Sequence, residues 1–157
     1  MKGNAKLIQT LNEILTAELV AINQYFVHFK MRDNWGYRGL AKMTREEAVG
    51  EMKHADELIE RILFLEGVPN VQRLAKVRVG ETVLEQLKLD LKLEEEAILR
   101  LNKAIAQARS AQDHGTCELL EQILHSEEEH AEWIEAQLTL IEQVGEQNYL
   151  AQQIHHS

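Results

Sequence analysis

The sequence predicts an all-α protein with four long helices and a short fifth helix near the C-terminus. Three observations lead to this fold class. The 157 residues include 1 Pro and 8 Gly, and Leu, Ala, Glu, Ile and Gln dominate, which is a composition that favours helices over strands. Apolar residues recur at helical spacing through four long segments. Gly and Pro fall near the ends of these segments, where helix stop signals are expected.

The first two helices are expected over residues 5–34 and 39–66. The first ends near "NWGYRG", and the second ends at "EGVPN", where Gly67 and Pro69 are stop signals. The following segment, "GVPNVQRLAKVRVGE", is long for a connection within a helical bundle. At ~3.3–3.6 Å per extended residue it could run the length of a bundle. The spacing permits either such a crossover or a simple hairpin.

The third and fourth helices are expected over residues 82–111 and 114–144, and the fourth ends at Gly145. The segment "EQNYLAQQI" then reads as a short amphipathic helix. A four-helix bundle is complete without this fifth helix. Its apolar face, formed by Tyr149, Leu150 and Ile154, therefore needs another surface, and we expect a large homo-oligomer.

Composition narrows the classes of function. The chain is long enough for one domain with a substantial core, which we assign to residues 1–157. Its formal net charge of -9 argues against a nucleic-acid partner and suits metal cations. The lone Cys117 cannot form an intrachain disulfide, which fits a reducing cytosol. We find no signal-peptide pattern and no bilayer-length apolar run, so we expect a soluble cytoplasmic protein with no membrane partner.

Each long helix carries a polar interruption in the middle of its apolar face. The third helix is the clearest case, because Glu94 lies between Leu91 and Ile98 on a face that is otherwise apolar. The number of residues between the interruptions of the first and second helices equals the number between those of the third and fourth. The interrupting residues are Glu18, then Glu51 with His54, then Glu94, then Glu127 with His130.

These six residues predict a dinuclear metal site. An isolated buried charge costs several kcal/mol, and two divalent cations would neutralise the four carboxylates. The Glu-x-x-His spacing places both side chains on one helical face, about one turn apart. Mixed carboxylate and imidazole ligands suit iron or manganese, and zinc is also possible. The alternative interpretation is that these residues lie at the surface of helices whose apolar faces are poorly defined.

Four segments carry a family resemblance: "LNEILTAELVAINQYFVH", "EMKHADELIERILFLEGVPN", "SEEEHAEWIEAQL" and "QNYL". They resemble bacterioferritin, the haem-containing branch of the ferritins, and the resemblance covers essentially the whole chain. It implies a ferritin-like four-helix bundle with a long crossover between the second and third helices and a short fifth helix. It also implies a hollow 24-subunit shell with a ferroxidase centre in each subunit and ferric mineral inside.

The resemblance also implies roles for individual residues. Glu51 and Glu127 would bridge two irons, whereas Glu18 and Glu94 would be terminal ligands. His54 and His130 would each bind one iron. These six residues would be the catalytic and metal-binding set.

Met52 matches the family's haem ligand, where two subunits each offer one methionine sulfur to a shared haem b. Because Met52 lies about 100° around the helix from Glu51, it can face a neighbouring subunit. Ordinary packing at a subunit contact is the alternative for Met52. In the family Tyr25 lies near the centre, as an electron or hydrogen-bond donor. The alternative for Tyr25 is a core tyrosine with a satisfied hydroxyl.

The chain departs from the family pattern at three positions. Glu46 stands where His is common and Gly50 where Asp is common, at an inner-surface iron site, although Glu46 and Glu47 keep carboxylates there. Transfer of iron or electrons into the cavity is expected to differ accordingly. Ala151 stands where a Gln often lines a shell pore. The histidines outside the centre are expected to be solvated or at interfaces: His28, His114, His125, His155 and His156.

The leading hypothesis is iron storage and detoxification by a ferroxidase. Fe(II) would be oxidised by dioxygen or peroxide, and haem would carry electrons for release, supplied by a ferredoxin-type partner. The shell could be a homo-oligomer or could contain a second subunit type. Three alternatives are a non-storage di-iron oxidase like rubrerythrin, a DNA-protecting mini-ferritin, and a structural bundle without metal. A single cysteine disfavours the first, and a full ligand set in one chain disfavours the second.

Overall fold

The computed structural model describes residues 1–73 and 75–155, and within these ranges it contains helices and no strands. It confirms the all-α prediction, and the helix ends differ from the predicted ones by at most two residues. None of the described helices is long and apolar enough to cross a membrane. The helices are α1 (Ala5–Asn34), α2 (Arg38–Phe64), α3 (Val83–Ser110), α4 (His114–Val144) and α5 (Glu146–Gln152).

Side-chain caps fix the starts of three long helices. The Asn4 side chain accepts from the backbone N–H of Leu7 at the start of α1. Thr82 caps α3 in the same way, and Asp113 caps α4. Each cap satisfies a backbone donor that has no partner inside the helix. At the other end of α4 the chain turns at Gly145, whose φ of 87° favours a residue without Cβ.

The connection between α2 and α3 runs along the bundle as a crossover, and the hairpin alternative is wrong. Early in this connection the Asn70 N–H donates to Asn12, near the start of α1, at 2.7 Å. Late in the connection the Gly80 N–H donates to Nε2 of His28, near the end of α1, at 3.0 Å. These two points lie ~24 Å apart along α1 at 1.5 Å per residue. The crossover is therefore fastened to α1 at both ends.

The two largest apolar clusters of the core lie on either side of a polar layer. One cluster includes Leu11, Leu58 and Leu120. The other includes Leu87 and Ile134. The residues that interrupt the apolar faces lie along each helix between these clusters. The long helices thus bring their mid-length positions to one depth in the bundle.

The fifth helix packs on its own subunit. Tyr149 is 3% exposed, belongs to the core cluster around Leu87, and donates its hydroxyl to Gln137 of α4 at 2.8 Å. The expectation that Tyr149 needs the surface of another subunit is therefore wrong, because α4 and the start of α3 already bury it. Of the predicted apolar face, only Ile154 remains exposed.

Candidate metal centre

The six predicted ligands all lie inside the bundle. Their exposed fractions are at most 8%, although they carry four carboxylates and two imidazoles. The alternative of surface positions on poorly defined faces is therefore excluded for these residues. α1 and α3 contribute one acid each, and α2 and α4 contribute an acid and a histidine each. The residues are Glu18, Glu51, His54, Glu94, Glu127 and His130.

Four of these residues form a first group around the imidazole of His54. Its Nδ1 lies 3.1 Å from Glu127 Oε1, 3.5 Å from Glu51 Oε2 and 3.7 Å from Glu18 Oε2. One ligand atom from each of the four residues lies within 4.8 Å of all the others. Three carboxylates and one imidazole from three helices could hold one cation between them.

A second group lies around the imidazole of His130. Its Nδ1 is 3.0 Å from Glu94 Oε1 and 3.2 Å from Glu47 Oε2. Ligand atoms of Glu47, Glu51 and His130 lie within 4.8 Å of one another. Glu51 thus belongs to both groups, as a bridging residue should. Glu94 lies beside His130 but outside this closest set, and Glu47 takes its place there.

Glu47 was not among the residues predicted for the centre. The available signal was its spacing, because Glu47 precedes Glu51 by one helical turn and so shares its face. The side chain is half-buried, at 28% exposed. Burial and then the charge of Glu46 raise the pKa of Glu47 to about 7. The charge of Glu129, on α4, acts on it in the same direction.

The centre leaves donor atoms without partners. In the described part of the chain, five buried side-chain polar atoms lack a hydrogen bond, and all five belong to predicted ligands. Each such atom costs ~1–3 kcal/mol, and native proteins contain few of them. A donor set of oxygens with one nitrogen per group fits two divalent cations. The atoms are Glu18 Oε2, Glu51 Oε2, His54 Nδ1, Glu94 Oε2 and Glu127 Oε1.

Crowding of the acids shifts their proton affinities. Burial raises the pKa of Glu51 well above its ordinary value, and the charge of Glu18 adds to this. Burial likewise raises the pKa of Glu94, with Glu127 as the next contribution. Burial lowers the pKa of His54, but its contacts with Glu127 and Glu18 outweigh that effect and raise it to about 10. Without metal, protons therefore carry part of the positive charge that the cluster requires.

Two aromatic side chains enclose His130. Tyr25 is buried and donates its hydroxyl to Glu94 Oε1. Its ring meets the His130 ring edge-on, with centroids 5.1 Å apart. On the other side Trp133 stacks on His130 at 6.2 Å. Tyr25 therefore fixes the orientation of Glu94 and of His130. This geometry satisfies its hydroxyl and also places it next to the centre.

His28 is buried inside the subunit, and the expectation that it is solvated or at an interface is wrong. Its exposed fraction is 0%, and Nδ1 lies 2.9 Å from Asp90 Oδ1. Because Nε2 accepts from Gly80, Nδ1 carries the proton and donates to Asp90. His114, His125 and His155 are exposed, as expected, and His156 lies outside the described residues.

Asp90 also joins His28 to the buried guanidinium of Arg32. Arg32 is 1% exposed and lies 3.2 Å from Asp90 Oδ2. Arg32 also donates to Gln86 and Thr44, at 2.8 and 2.6 Å. In contrast to the centre, this network pairs its charges and hydrogen-bonds its members. It therefore has a structural role, which is to join α1, α2 and α3 with the end of the crossover.

Met52 points away from the centre. It is 55% exposed on α2, and Val49, one turn earlier on the same face, is 51% exposed. Its thioether is therefore available to a ligand or a subunit outside the bundle. The adjacent acids on α4, Glu128 and Glu129, are also exposed, so only Glu127 of that run faces the centre.

The chain is similar to known proteins over most of its length. Residues 8–144 match the family described as Ferritin-like domain. Bacterioferritin of Streptomyces coelicolor is 49% identical over 151 residues, which cover 96% of this chain and 90% of that protein. Bacterioferritin of Mycobacterium leprae is 48% identical over 152 residues, covering 97% and 96%. Bacterioferritin of Brucella melitensis is 42% identical over 149 residues, covering 95% and 92%.

Proposed function

This chain belongs to the bacterioferritin family of ferritin-like proteins, and on that premise we propose that it is a ferroxidase that stores and detoxifies iron. Fe(II) is the substrate, and dioxygen or peroxide is the oxidant. The observation that carries the proposal is the convergence of unpartnered buried donor atoms from all four long helices. Family membership supports iron storage, and these donor atoms support a di-iron centre in each subunit.

The proposed ligand set consists of the six predicted residues, with Glu94 rather than Glu47 at the second position. Glu18 and His54 serve the first position, Glu94 and His130 serve the second, and Glu51 and Glu127 lie between them. Each of two Fe(II) ions gives up one electron, and the pair of electrons with two protons reduces dioxygen to hydrogen peroxide, or hydrogen peroxide to two waters. The carboxylates neutralise the cations, and the apolar clusters on both sides exclude water from the layer.

Substitution of ligands tests this centre. Glu94→Ala and His130→Ala each remove a donor from the second position, so we expect a large loss in the initial rate of Fe(II) oxidation. Glu95→Ala and His125→Ala are matched controls, because both residues are exposed neighbours on the same helices. Oxidation by the two ligand variants at the parent rate would show that the centre lies elsewhere. Absence of bound metal after aerobic Fe(II) loading would favour a structural bundle.

We also propose that Met52 would hold, through its thioether sulfur, a haem b shared between two subunits. Its exposed thioether on an apolar surface with Val49 supports this role. The haem would supply electrons for iron release, delivered by a ferredoxin-type donor. In this proposal Met52→Leu keeps the apolar surface and removes the sulfur. We expect it to lose the haem absorption bands while Fe(II) oxidation continues at the parent rate.

The proposed assembly is a hollow 24-subunit shell in the cytoplasm, with ferric mineral inside. It is either a homo-oligomer or a mixture with a second subunit type. Family membership supports an oligomeric shell. Sedimentation velocity at micromolar concentration would detect the shell, whereas a monomer under these conditions would contradict it.

A further inference from the structure

We propose that Glu47 is an exchange ligand, which passes a cation between the second metal position and the solvent that its partly exposed side chain contacts. The inference rests on the proposed function, because it assumes that the centre binds metal. It adds a seventh residue to the six ligands and gives that residue a transient role. Three features of the geometry carry it.

The first feature is that two carboxylates lie close to the same imidazole nitrogen. Nδ1 of His130 lies 3.0 Å from Glu94 Oε1 and 3.2 Å from Glu47 Oε2. A cation held by this nitrogen can therefore take its carboxylate from α3 or from α2. Ligand atoms of Glu51, Glu47 and His130 lie within 4.8 Å of one another. The three residues thus form a complete alternative site, without Glu94.

The second feature is a gradient of exposure along the acids. Glu51 and Glu94 are 3% and 1% exposed, whereas the Glu47 side chain is 28% exposed. Beyond it, Glu46 on α2 and Glu129 on α4 are exposed. Of the residues around His130, Glu47 is thus the carboxylate that can contact the centre and water at once. Carboxylates therefore continue from the centre to the solvent along this route.

The third feature is free space beside Glu47. Gly50 follows Glu47 by three residues and lies next to it on the helix surface. A Cβ placed at Gly50 would meet no atom within 4 Å. Because helical side chains lean toward the preceding turn, any side chain at position 50 would lean over Glu47. Its absence leaves room for the Glu47 carboxylate to swing from His130 toward solvent.

Metal-exchange kinetics test the role of Glu47 independently of oxidation. Parent protein is loaded with Co(II) under anaerobic conditions, and the number bound per subunit is read from its absorbance. Excess EDTA is then added in a stopped-flow instrument, and loss of the Co(II) absorbance is followed. The same experiment uses Glu47→Gln, which keeps the shape and removes the charge. Glu60→Gln is the matched control, because it removes an exposed carboxylate from a distant part of α2.

We expect two Co(II) ions per subunit in all three proteins. In Glu47→Gln, release of one ion should slow by about ten-fold, which corresponds to loss of one stabilising contact in the barrier. The other ion should leave at the parent rate, and Glu60→Gln should match the parent throughout. This pattern would establish the exchange role.

Two results would overturn the inference and leave the proposed function intact. One is release from Glu47→Gln at the parent rate, which would show that the residue takes no part in exchange. The other is binding of only one Co(II) by Glu47→Gln, which would make Glu47 a permanent ligand. Failure of the parent itself to bind a pair of ions would instead contradict the proposed function and, with it, this inference.

Discussion

At the scale of single residues, several groups of the centre have raised pKa values and therefore hold protons more tightly when no metal is bound. The pKa values of Glu51 and Glu94 are raised by burial, that of Glu47 is raised to about 7, and that of His54 to about 10. A group whose pKa is raised by folding binds more protons in the folded state than in the unfolded state. Its contribution to stability is complete below the unfolded pKa and is lost as pH rises through the folded pKa.

Metal-free protein is therefore expected to lose stability as pH rises. The loss begins above about 4.5 for the glutamates, and His54 adds to it between its ordinary value of 6.5 and about 10. Urea unfolding at pH 5.5 and 8.5 would measure the change. Binding of Zn(II) should reverse the trend, because ligands must be deprotonated to bind the metal. A metal-free protein that is more stable at pH 8.5 would contradict the proton assignment.

Replacing a ligand by an apolar side chain should stabilise the metal-free fold. Glu18 is 3% exposed, and its Oε2 has no hydrogen-bond partner. We expect Glu18→Leu to raise the free energy of unfolding of metal-free protein by ~1–4 kcal/mol, measured by urea titration. Glu94→Leu should gain less, because it leaves the buried hydroxyl of Tyr25 without its acceptor. A lower unfolding free energy for Glu18→Leu would show that the acid is already satisfied.

The sequence singled out the six buried residues of the candidate centre because each interrupts an apolar face at helical spacing. Glu47 was missed although it shares that face with Glu51, because acids are also common on helices without a site. His28 was misjudged for a different reason. Its partners, Asp90 on α3 and Gly80 in the crossover, are distant in sequence. Periodicity reports which face a residue occupies, but it cannot report partners contributed by other segments.

At the scale of elements, the helix ends could be predicted from local chemistry and the path of the crossover could not. Side-chain caps and Gly145 act within a few residues, so they are visible in the sequence. The crossover has few such signals, and its path depends on Asn12 and His28, which hold it at the two ends of α1. Its length alone permitted both a hairpin and a crossover.

Removing the charge of Asp90 should weaken this junction severely. Asp90→Asn leaves the guanidinium of Arg32 buried without its counter-charge. Breaking a buried pair in this way costs ~3–5 kcal/mol, and urea unfolding would measure it. Glu96→Gln is the control, because its pair with Arg78 is partly exposed and should contribute ~0–1 kcal/mol. Equal effects of the two substitutions would mean that the network does not anchor the crossover.

At the scale of the whole molecule, the fifth helix does not explain assembly. Tyr149 is buried within its own subunit, so α5 packs against the bundle of the same chain. The exposed apolar surface on α2, formed by Val49 and Met52, is the better candidate for a subunit contact. Single exposed apolar residues are ordinary, so the proposed contact rests on the position of Val49 one turn from Met52 and needs a direct test.

A charged side chain on this surface should prevent assembly of the shell. Val49→Glu places a carboxylate one turn from Met52, where a second subunit would have to desolvate it without a partner. We expect sedimentation velocity to show smaller species than the parent and the haem absorption to be lost. The isolated subunit should keep its helical circular dichroism, because Val49 is 51% exposed and contributes little to the core. Leu99→Glu tests for a general effect of added charge, since Leu99 is an exposed apolar residue of α3, at 60%. An intact shell with bound haem in Val49→Glu would place both the subunit contact and the haem on another face, which would contradict the role proposed for Met52.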